Sequence, residues 1–238
     1  MKKSLYTQLF LLIGCSTKTI TTPSDPYESI NRKTYRFNKA IDATITRPIA
    51  KVYKAILPPQ IQNSIRNVFN NVQMIPTVTN DLLQVQFLKA YKDTWRFVIN
   101  STFGVAGLFD VAQKWGLPYK SNDFGITLAK WGDTNSPYFV VPIFGPSTFM
   151  DTVGISYDYN VFSGYAYLRN RSDSYALITL DSLQIRADLI GTDKLIDDAL
   201  DEYTLVRDAY LQSRRFEING NSDHYTNDDE SLYIDSED

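Results

Sequence analysis

Cysteine and histidine are almost absent from this 238-residue chain, which contains one of each. The single cysteine, Cys15, excludes an intramolecular disulfide. The single histidine, His224, lies in an acidic C-terminal stretch, so Ser-His-Asp and Cys-His catalysis lack a histidine in the region that we expect to fold. The sequence therefore argues against the commonest hydrolases, and we predict that the protein is not an enzyme.

Recognisable cofactor and metal motifs are also missing. The sequence has no glycine-rich phosphate loop, no zinc-ligand spacing and no EF-hand loop. The run from Gly145 to Phe149 begins like a nucleophile elbow, but it lacks the closing glycine and a base. The acidic residues between Asp197 and Glu202 fall on the polar side of an amphipathic helix, which favours a solvated face over a metal or acid-base pair. We predict no catalytic residue, no metal, no soluble cofactor and no nucleic-acid partner.

The N-terminal residues have the layout of a secretory signal. Lys2 and Lys3 precede a short apolar run that ends at Ile13, and this run is too short to span about 30 Å of hydrocarbon as a helix. The motif Leu12-Ile13-Gly14-Cys15 resembles the bacterial lipobox. We therefore predict that residues 1–14 are removed and that Cys15 carries the covalent lipid. The alternative is an export signal followed by an unmodified cysteine.

A lipid on Cys15 places the protein on a membrane, because several acyl chains give durable anchoring. Ser16 follows in place of the aspartate that retains such lipoproteins at the inner membrane, so the analogy favours the periplasmic side of the outer membrane. We predict a lipidated tether at residues 15–24, a helical domain at 25–218 and a disordered acidic tail at 219–238. The tail has seven acidic residues from Asp223 onward and no lysine or arginine.

Capping and proline signals predict two helices at the start of the folded region. Asp25 is expected at the N-cap, Pro26 at the first helical position and Glu28 at the third. Pro48 should begin a second helix, which Pro58-Pro59 should end because the residue before a proline is disfavoured in the α conformation.

Two further amphipathic stretches follow. Apolar residues recur with helical spacing from Ile61 to Val72, and we expect Pro76 to break that helix. A helix that holds Leu82-Leu83 should lead to a longer one from Leu88 to Thr102, which Gly104 should close.

The middle of the chain has a different composition. Glycine and proline recur every few residues from 104 to 154, which predicts short helices and many loops. Residues 137–144 are aromatic and β-branched, so we expect a strand or hairpin arm that ends at Gly145-Pro146. Gly191 should separate two C-terminal helices, the second of which should end before Asn219-Gly220.

Positive charge is concentrated near the start of the folded region. Residues 26–66 contain eight basic and two acidic side chains. Helices with a basic face beside an apolar stripe suit an anionic membrane surface, where each base contributes roughly 1 kcal/mol. The alternative is an ordinary solvated face, and the predicted lipid anchor favours the membrane.

Several motifs resemble the MlaA (VacJ) family of lipoproteins over about residues 25–215. The family's R-F-x-x-N-T-x-x-G-x-G-G-L-x-D-V-A segment is similar to residues 96–112, and Phe124-Gly125 begins a second matching block. Ala106 replaces a family glycine, and Val85-Gln86 replaces a Gly-Asp pair. The signature residues that match are Asn31, Arg32, Arg96, Asn100, Gly104, Gly107 and Asp110.

The resemblance implies a mainly α fold: a ring- or disc-shaped bundle of amphipathic helices around a central amphipathic pore, with a short β or loop segment in the middle. It further implies that misplaced outer-leaflet phospholipid enters the pore, beside a trimeric porin, and passes to the periplasmic carrier MlaC. Outer-membrane lipid asymmetry would thereby be maintained. Such a pore is physically reasonable, because a headgroup that crosses hydrocarbon unaided loses its hydration. The alternatives are a structural lipoprotein that docks on porins without passing lipid and, less favoured, a lipid hydrolase.

The segment from residue 138 to 147 is our candidate for a loop that borders the lipid path. Its prolines and glycine set a fixed turn with one flexible joint, while its apolar side chains can meet acyl chains. A hairpin that merely covers the core is the alternative. The candidate residues are Tyr138, Phe139, Val141, Pro142, Ile143, Phe144, Gly145, Pro146 and Ser147.

Overall fold

The computed structural model describes residues 25–132 and 136–223, so Cys15, the predicted signal peptide and tether, and the tail from His224 onward lie outside the described residues. The predicted mainly α class is confirmed. The α-helices and strands are α1 (Glu28–Ile41), α2 (Arg47–Ile56), α3 (Pro59–Leu83), α4 (Phe87–Thr102), α5 (Val111–Lys114), α6 (Phe124–Trp131), β1 (Tyr138–Val141), β2 (Gly145–Thr148), α7 (Phe149–Tyr157), α8 (Arg171–Asp188), α9 (Asp193–Asp197) and α10 (Glu202–Asp223).

Helices α1 and α2 form one continuous helical segment, because a π-helical turn at Asp42–Thr46 joins them. Pro48 lies in the first turn of α2, and α2 ends before Pro58-Pro59 as predicted. The predicted cap at Asp25 is wrong. The N-cap of α1 is Tyr27, while the Asp25 carboxylate is buried and accepts a hydrogen bond from Asn31 Nδ2 at 2.8 Å. A tertiary contact thus takes the oxygen that would have capped the helix.

Helix α3 runs through Pro76 without interruption, so the predicted break there is wrong. Proline inside a helix costs about 3 kcal/mol, because it cannot donate the backbone hydrogen bond. Pro76 is buried, and the tertiary packing of α3 against its neighbouring elements offsets that cost. Side chains also support the backbone locally: Asn80 Nδ2 donates to the Pro76 carbonyl at 2.9 Å, and Thr77 Oγ1 donates to the Gln73 carbonyl at 2.8 Å.

The middle of the chain contains short helices and a two-stranded antiparallel hairpin, in agreement with the glycine and proline pattern. Strand β1 pairs with β2 so that Tyr138 lies opposite Thr148 and Val141 opposite Gly145. The predicted turn position is wrong. Residues 142–144 form the turn, and Gly145-Pro146 belong to β2.

The C-terminal helices differ in two places from the sequence prediction. Gly191 lies in a 3-10 turn, Leu189–Thr192, between α8 and α9, as expected for a separator. The predicted final helix is interrupted between Asp197 and Glu202, and α10 then continues past Asn219-Gly220 to Asp223. The interruption coincides with ion pairs that hold Asp201 and Glu202 against α1, described below.

Candidate lipid-facing surface and polar interior

Polar and apolar side chains have an unusual distribution in this fold. Within residues 25–132 and 136–223, buried polar or charged side chains outnumber buried hydrophobic ones. A water-soluble domain of this size normally has the opposite balance, because burial of apolar area is the main favourable term in folding. The fold therefore has a polar interior.

The apolar stripes that the sequence predicts on the helices point outward. On α2, the side chains of Val52 and Ile56 are 56% and 70% exposed. On α4, Leu88, Tyr91 and Trp95 form an exposed stripe at helical spacing. Contiguous exposed apolar surface of this kind marks contact with a membrane or a partner.

A second exposed apolar patch lies just after α4. Phe103, Val105, Phe109 and Trp115 are all more than half exposed, and the rings of Phe103 and Trp115 lie 5.5 Å apart between centroids. The backbone at Val105 has a φ of 53°, in the left-handed region that disfavours a β-branched residue. The chain thus accepts backbone strain where it presents apolar side chains outward.

The signature residues of α4 and the following turn form one hydrogen-bonded unit. Buried Arg96 donates to Asp110, and Asn100 Nδ2 donates to the same carboxylate at 3.0 Å. Hydrogen bonds from Arg96 and Asn100 hold the pKa of Asp110 below its usual value although its burial acts in the other direction. A Cβ at Gly104 would lie 2.3 Å from the Phe109 carbonyl oxygen, and Gly107 has a φ of 92°. These residues build the turn rather than a reactive centre.

Two asparagines of α1, the signature residue Asn31 and Asn38, connect this helix to the hairpin. Asn31 Nδ2 donates to the Tyr138 carbonyl at 3.2 Å, and Asn31 Oδ1 accepts from the Val140 amide at 3.0 Å. Asn38 lies seven residues later on the same helix. Its Nδ2 donates to the Val141 carbonyl at 2.9 Å, and its Oδ1 accepts from the Ile143 amide at 2.7 Å. The two side-chain amides thereby hydrogen bond to the backbone of β1 and of the turn that follows it.

The hairpin candidates separate into buried and exposed residues. Tyr138 and Ser147 are 0% and 3% exposed, so their side chains lie in the core at the base of the hairpin. They are buried because the base of the hairpin packs against α10 and α1. Ile143 and Phe144, at the turn, are 72% and 76% exposed. Of the other candidates, Pro142 is exposed, and Phe139, Val141, Gly145 and Pro146 are half-buried.

Much of the basic charge of α1 and α2 is paired within the chain. Arg32 forms a two-bond ion pair with Asp201, and Lys39 contacts Glu202 at 2.5 Å. Arg47 lies 3.4 Å from Asp197. Asp197, Asp198 and Asp201 are exposed, as the predicted solvated face requires, and Asp197, Asp201 and Glu202 are also ion-pair partners of α1 or α2. These cations are accordingly less available to anionic lipid than the sequence indicates.

Helix α10 also holds the middle of the chain through Arg214. Its guanidinium donates to Asp123, at the N-cap of α6, and to Asp151, in the first turn of α7. The Tyr210 hydroxyl donates to Asp151 as well. Arg214 therefore lies between carboxylates from two separate helices, and the three elements depend on one side chain.

A charged group in the interior was not predicted from the sequence. Asp81, Lys89, Asp93 and Lys120 line a cavity of about 20 Å³, which has room for one water molecule. Burial, together with the neighbouring Asp81, raises the pKa of Asp93 to about 7. Burial and the charge of Lys130 lower the pKa of Lys89 to about 8. No local motif indicated this group, because its members come from α3, α4 and the loop before α6.

A larger cleft of about 410 Å³ lies between α1 and the start of α10, lined in part by Tyr35, Arg36 and Leu200. Among the described residues, no three His, Cys, Asp or Glu side chains are placed to hold a metal ion. The same residues include no helix that is both long and apolar enough to cross a membrane.

Comparison with known proteins bears on these features. A family model described as "MlaA lipoprotein" matches residues 23–217. The chain is 35% identical over 195 residues to an uncharacterized protein of Rickettsia prowazekii (strain Madrid E), covering 82% of this chain and 78% of that protein. It is 31% identical over 218 residues to the intermembrane phospholipid transport system lipoprotein MlaA of Escherichia coli (strain K12), covering 88% of this chain and 85% of that protein.

The fold is also similar to a solved structure, reported as "Structural basis for maintenance of bacterial outer membrane lipid asymmetry". The TM-score is 0.74 at 30% sequence identity, and the match covers 82% of this chain and 100% of that one. The family resemblance that the motifs indicate is confirmed. On the family model, the relatives and the shared fold together, the chain belongs to the MlaA lipoprotein family.

Proposed function

We propose that this protein is a lipid-anchored lipoprotein of the outer membrane that removes phospholipid from the outer leaflet and passes it to a periplasmic carrier of the MlaC type. It acts without catalysis and without a soluble cofactor. The phospholipid crosses through an amphipathic passage bounded by the helices, next to a trimeric porin. Lipid asymmetry of the outer membrane is the result.

The polar interior with outward-facing apolar stripes is the observation that supports this proposal. Apolar side chains such as Val52 and Trp95 have no favourable contact with water, whereas lipid chains solvate them. A headgroup needs the opposite surroundings, and the buried Asn122 with the half-buried Lys89 and Asp93 supply polar and charged groups. One fold thus presents hydrocarbon-compatible and headgroup-compatible surfaces at once.

The exposed turn of the hairpin belongs to the same proposal. Ile143 and Phe144 are exposed apolar side chains on an element that hydrogen bonds to α1. We place the turn at the border of the lipid path, where the two side chains contact acyl chains. The base of the hairpin, including Tyr138, anchors the turn to the core.

The proposal is tested in a Gram-negative strain that lacks its own MlaA homologue. Outer-leaflet phosphatidylethanolamine is measured with an amine-reactive reagent that does not cross the membrane. The chain should return the labelled lipid to the level of the parent strain. Val52→Asp should restore less, because a charge on the lipid-facing stripe is costly to bury, whereas Val52→Leu should restore fully. A chain that localises to the outer membrane yet leaves the labelled lipid unchanged would exclude lipid removal.

The structural alternative is a lipoprotein that docks on porins without passing lipid. The two functions differ in what copurifies with the protein. A transport protein extracted in mild detergent should carry phospholipid at a defined stoichiometry, and the exposed lipid should rise again when the gene is removed. A docking protein should carry porin but no excess of phospholipid over a control membrane lipoprotein.

A further inference from the structure

The charged cavity between α3, α4 and the loop before α6 has a buried floor. Asp81 and Asn122, which form this floor, are 1% and 5% exposed. The cavity opens toward the surface at Pro118 and Ser121, which are exposed. Its half-buried walls consist of Lys89, Asp93 and Lys120. With a volume of about 20 Å³, the cavity accepts one group of the size of a water molecule.

One buried oxygen on this floor lacks a hydrogen-bond donor. Asn122 Nδ2 donates to Asp81 Oδ1 at 2.7 Å, and Asn122 is itself held in place because its Oδ1 accepts from Gln84 Nε2 at 2.9 Å. Among the residues that the structure describes, none provides a hydrogen bond to Asp81 Oδ2. A carboxylate oxygen that is buried without a donor is costly, and a small cationic group in the cavity removes that cost.

Asp93 brings a second carboxyl group to the same cavity. Burial and the neighbouring Asp81 raise the pKa of Asp93 to about 7, as expected for two carboxyl groups that share one site. A shared proton relieves the repulsion between them, and so does an ammonium group, which donates up to three hydrogen bonds. A primary ammonium is close to a water molecule in size. It therefore fits the cavity, whereas a trimethylammonium group does not.

Lysine side chains supply the opposite charge at the walls of the cavity. Lys89 and Lys120 are half-buried, whereas Asp81 lies deeper. Their ammonium groups weaken the attraction of the carboxylates for a bare cation, and they attract a phosphate. A phosphoethanolamine group carries both an ammonium and a phosphate, separated by two carbons. The cavity therefore favours a cationic ligand that brings its own phosphate.

We propose that this cavity binds the headgroup of phosphatidylethanolamine, with the ammonium at Asp81 and Asp93 and the phosphate at Lys89 and Lys120. A choline headgroup is too large at its nitrogen to reach Asp81 Oδ2, and a glycerol headgroup has no ammonium to place there. This inference rests on the proposed function and names the headgroup that the lipid path prefers.

The test compares phosphatidylethanolamine with phosphatidylcholine, which differ only in the three methyl groups on the nitrogen. Both lipids, with identical acyl chains, are titrated together onto the purified full-length protein in detergent, in a buffer free of ammonium ions. Mass spectrometry of the lipids that remain bound after gel filtration gives their ratio. The wild-type ratio should favour phosphatidylethanolamine by about tenfold. Phosphatidylglycerol, in place of phosphatidylcholine, should compete equally poorly.

Matched variants separate the two ends of the headgroup. Asp81→Asn, which is nearly isosteric, should bring the ratio close to one, and Asp93→Asn should lower it in the same direction. Lys120→Gln should weaken the binding of both lipids severalfold and leave the ratio unchanged, because both lipids carry the phosphate. Asp173→Asn, in the exposed first turn of α8, is the control and should change neither quantity. Thermal midpoints show which variants are folded, and Asp93→Asn decides the matter if Asp81→Asn is not.

Soluble phosphoethanolamine tests which part of the lipid is recognised. It should displace bound phosphatidylethanolamine at a concentration about tenfold lower than ammonium chloride does, because only phosphoethanolamine brings a phosphate to Lys89 and Lys120. Equal displacement would indicate a site for any small cation and would overturn headgroup recognition. A wild-type ratio near one, or a high ratio that persists in Asp81→Asn and Asp93→Asn, overturns the site and leaves lipid transport standing. If the wild type binds none of the three lipids, the proposed function fails as well.

Discussion

At the residue scale, departures from the family pattern coincide with backbone strain. Ala106 and Val85 stand where the family motif that the sequence resembles has glycine, and their φ values are 56° and 60°. An L-residue in this region costs roughly 1 to 2 kcal/mol, which glycine avoids. The strain is tolerated because neighbouring bonds determine the backbone, among them the Gly107 amide to the Asn100 carbonyl at 2.8 Å.

We therefore predict that Ala106→Gly stabilises the fold by about 1 kcal/mol, measured as a higher free energy of unfolding in detergent. The gain is smaller than the full strain, because glycine also increases the entropy of the unfolded chain. Ala55→Gly, inside α2, is the control and should destabilise by about 1 kcal/mol. Equal effects of the two changes would contradict the strain argument.

A second residue-scale prediction concerns Asp93. Its pKa is about 7 in the fold and 3.8 in the reference state, so the folded protein keeps a proton that the unfolded chain loses as pH rises between these values. Stability should therefore fall across that interval. Asp93→Asn removes this loss and should be more stable than wild type at pH 8, by about 1 kcal/mol or more, with a much smaller difference near pH 4.

The measurement is the thermal midpoint at pH 4, 6 and 8, with Asp173→Asn as an exposed control. The control should shift the midpoint equally at each pH. A destabilised Asp93→Asn at pH 8 would mean that the ionised carboxylate contributes a stabilising interaction, contrary to the direction of its pKa.

At the element scale, the hairpin is held by α1 rather than by its own strands, which are short and would be marginal alone. The Asn38 side chain hydrogen bonds where β1 leads into the turn, to the Val141 carbonyl and the Ile143 amide. Loss of that amide should therefore release the turn while the core contacts of Tyr138 remain.

We predict that Asn38→Leu increases the hydrogen-exchange rate of the Ile143 amide by about fivefold, since one to two hydrogen bonds of roughly 1 kcal/mol are lost. If the turn borders the lipid path, lipid removal in the strain that lacks its own MlaA homologue should change together with the exchange rate. Asn160→Leu is the control, because the side chain of Asn160, just after α7, donates to the Ser156 carbonyl four residues earlier and does not reach the hairpin. Faster exchange with unchanged lipid removal would show that the hairpin is only a cover for the core.

At the scale of the whole molecule, ion pairs take a role that a hydrophobic core usually has. The C-terminal helix reaches the residues just before α1 through Tyr203 and Arg207, which contact Asp25. It reaches α6 and α7 through Arg214. These long-range contacts close the chain on itself. A fold with apolar side chains outside needs such polar contacts inside, because few apolar side chains remain to bury.

We predict that Arg214→Gln costs about 3 kcal/mol, because it leaves the carboxylates of Asp123 and Asp151 without their cation. For a chain of this length, that cost lowers the thermal midpoint by roughly 6 to 12 °C. Arg215→Gln is a matched control one position away, since Arg215 is exposed and bonds only to the Leu211 carbonyl. An equal loss in both variants would assign the effect to helix propensity instead.

The sequence alone determined the mainly α class, the family and the positions of the apolar stripes along the helices. The class and the stripes depend on local periodicity, and the family depends on motif spacing. Val52 and Leu88 belong to readable patterns, and so do Asn100 and Gly104. Periodicity indicates which residues share a face, but it does not say whether that face meets a core or a lipid.

The tertiary structure decided the rest. It carried α3 through Pro76, took Asp25 from its expected cap, moved the hairpin turn to residues 142–144 and joined the interior charges of Asp81, Lys89 and Asp93. Each of these outcomes depends on partners far away in sequence. Long-range packing and buried hydrogen bonds are worth as much as local propensities, so no local pattern could reveal them.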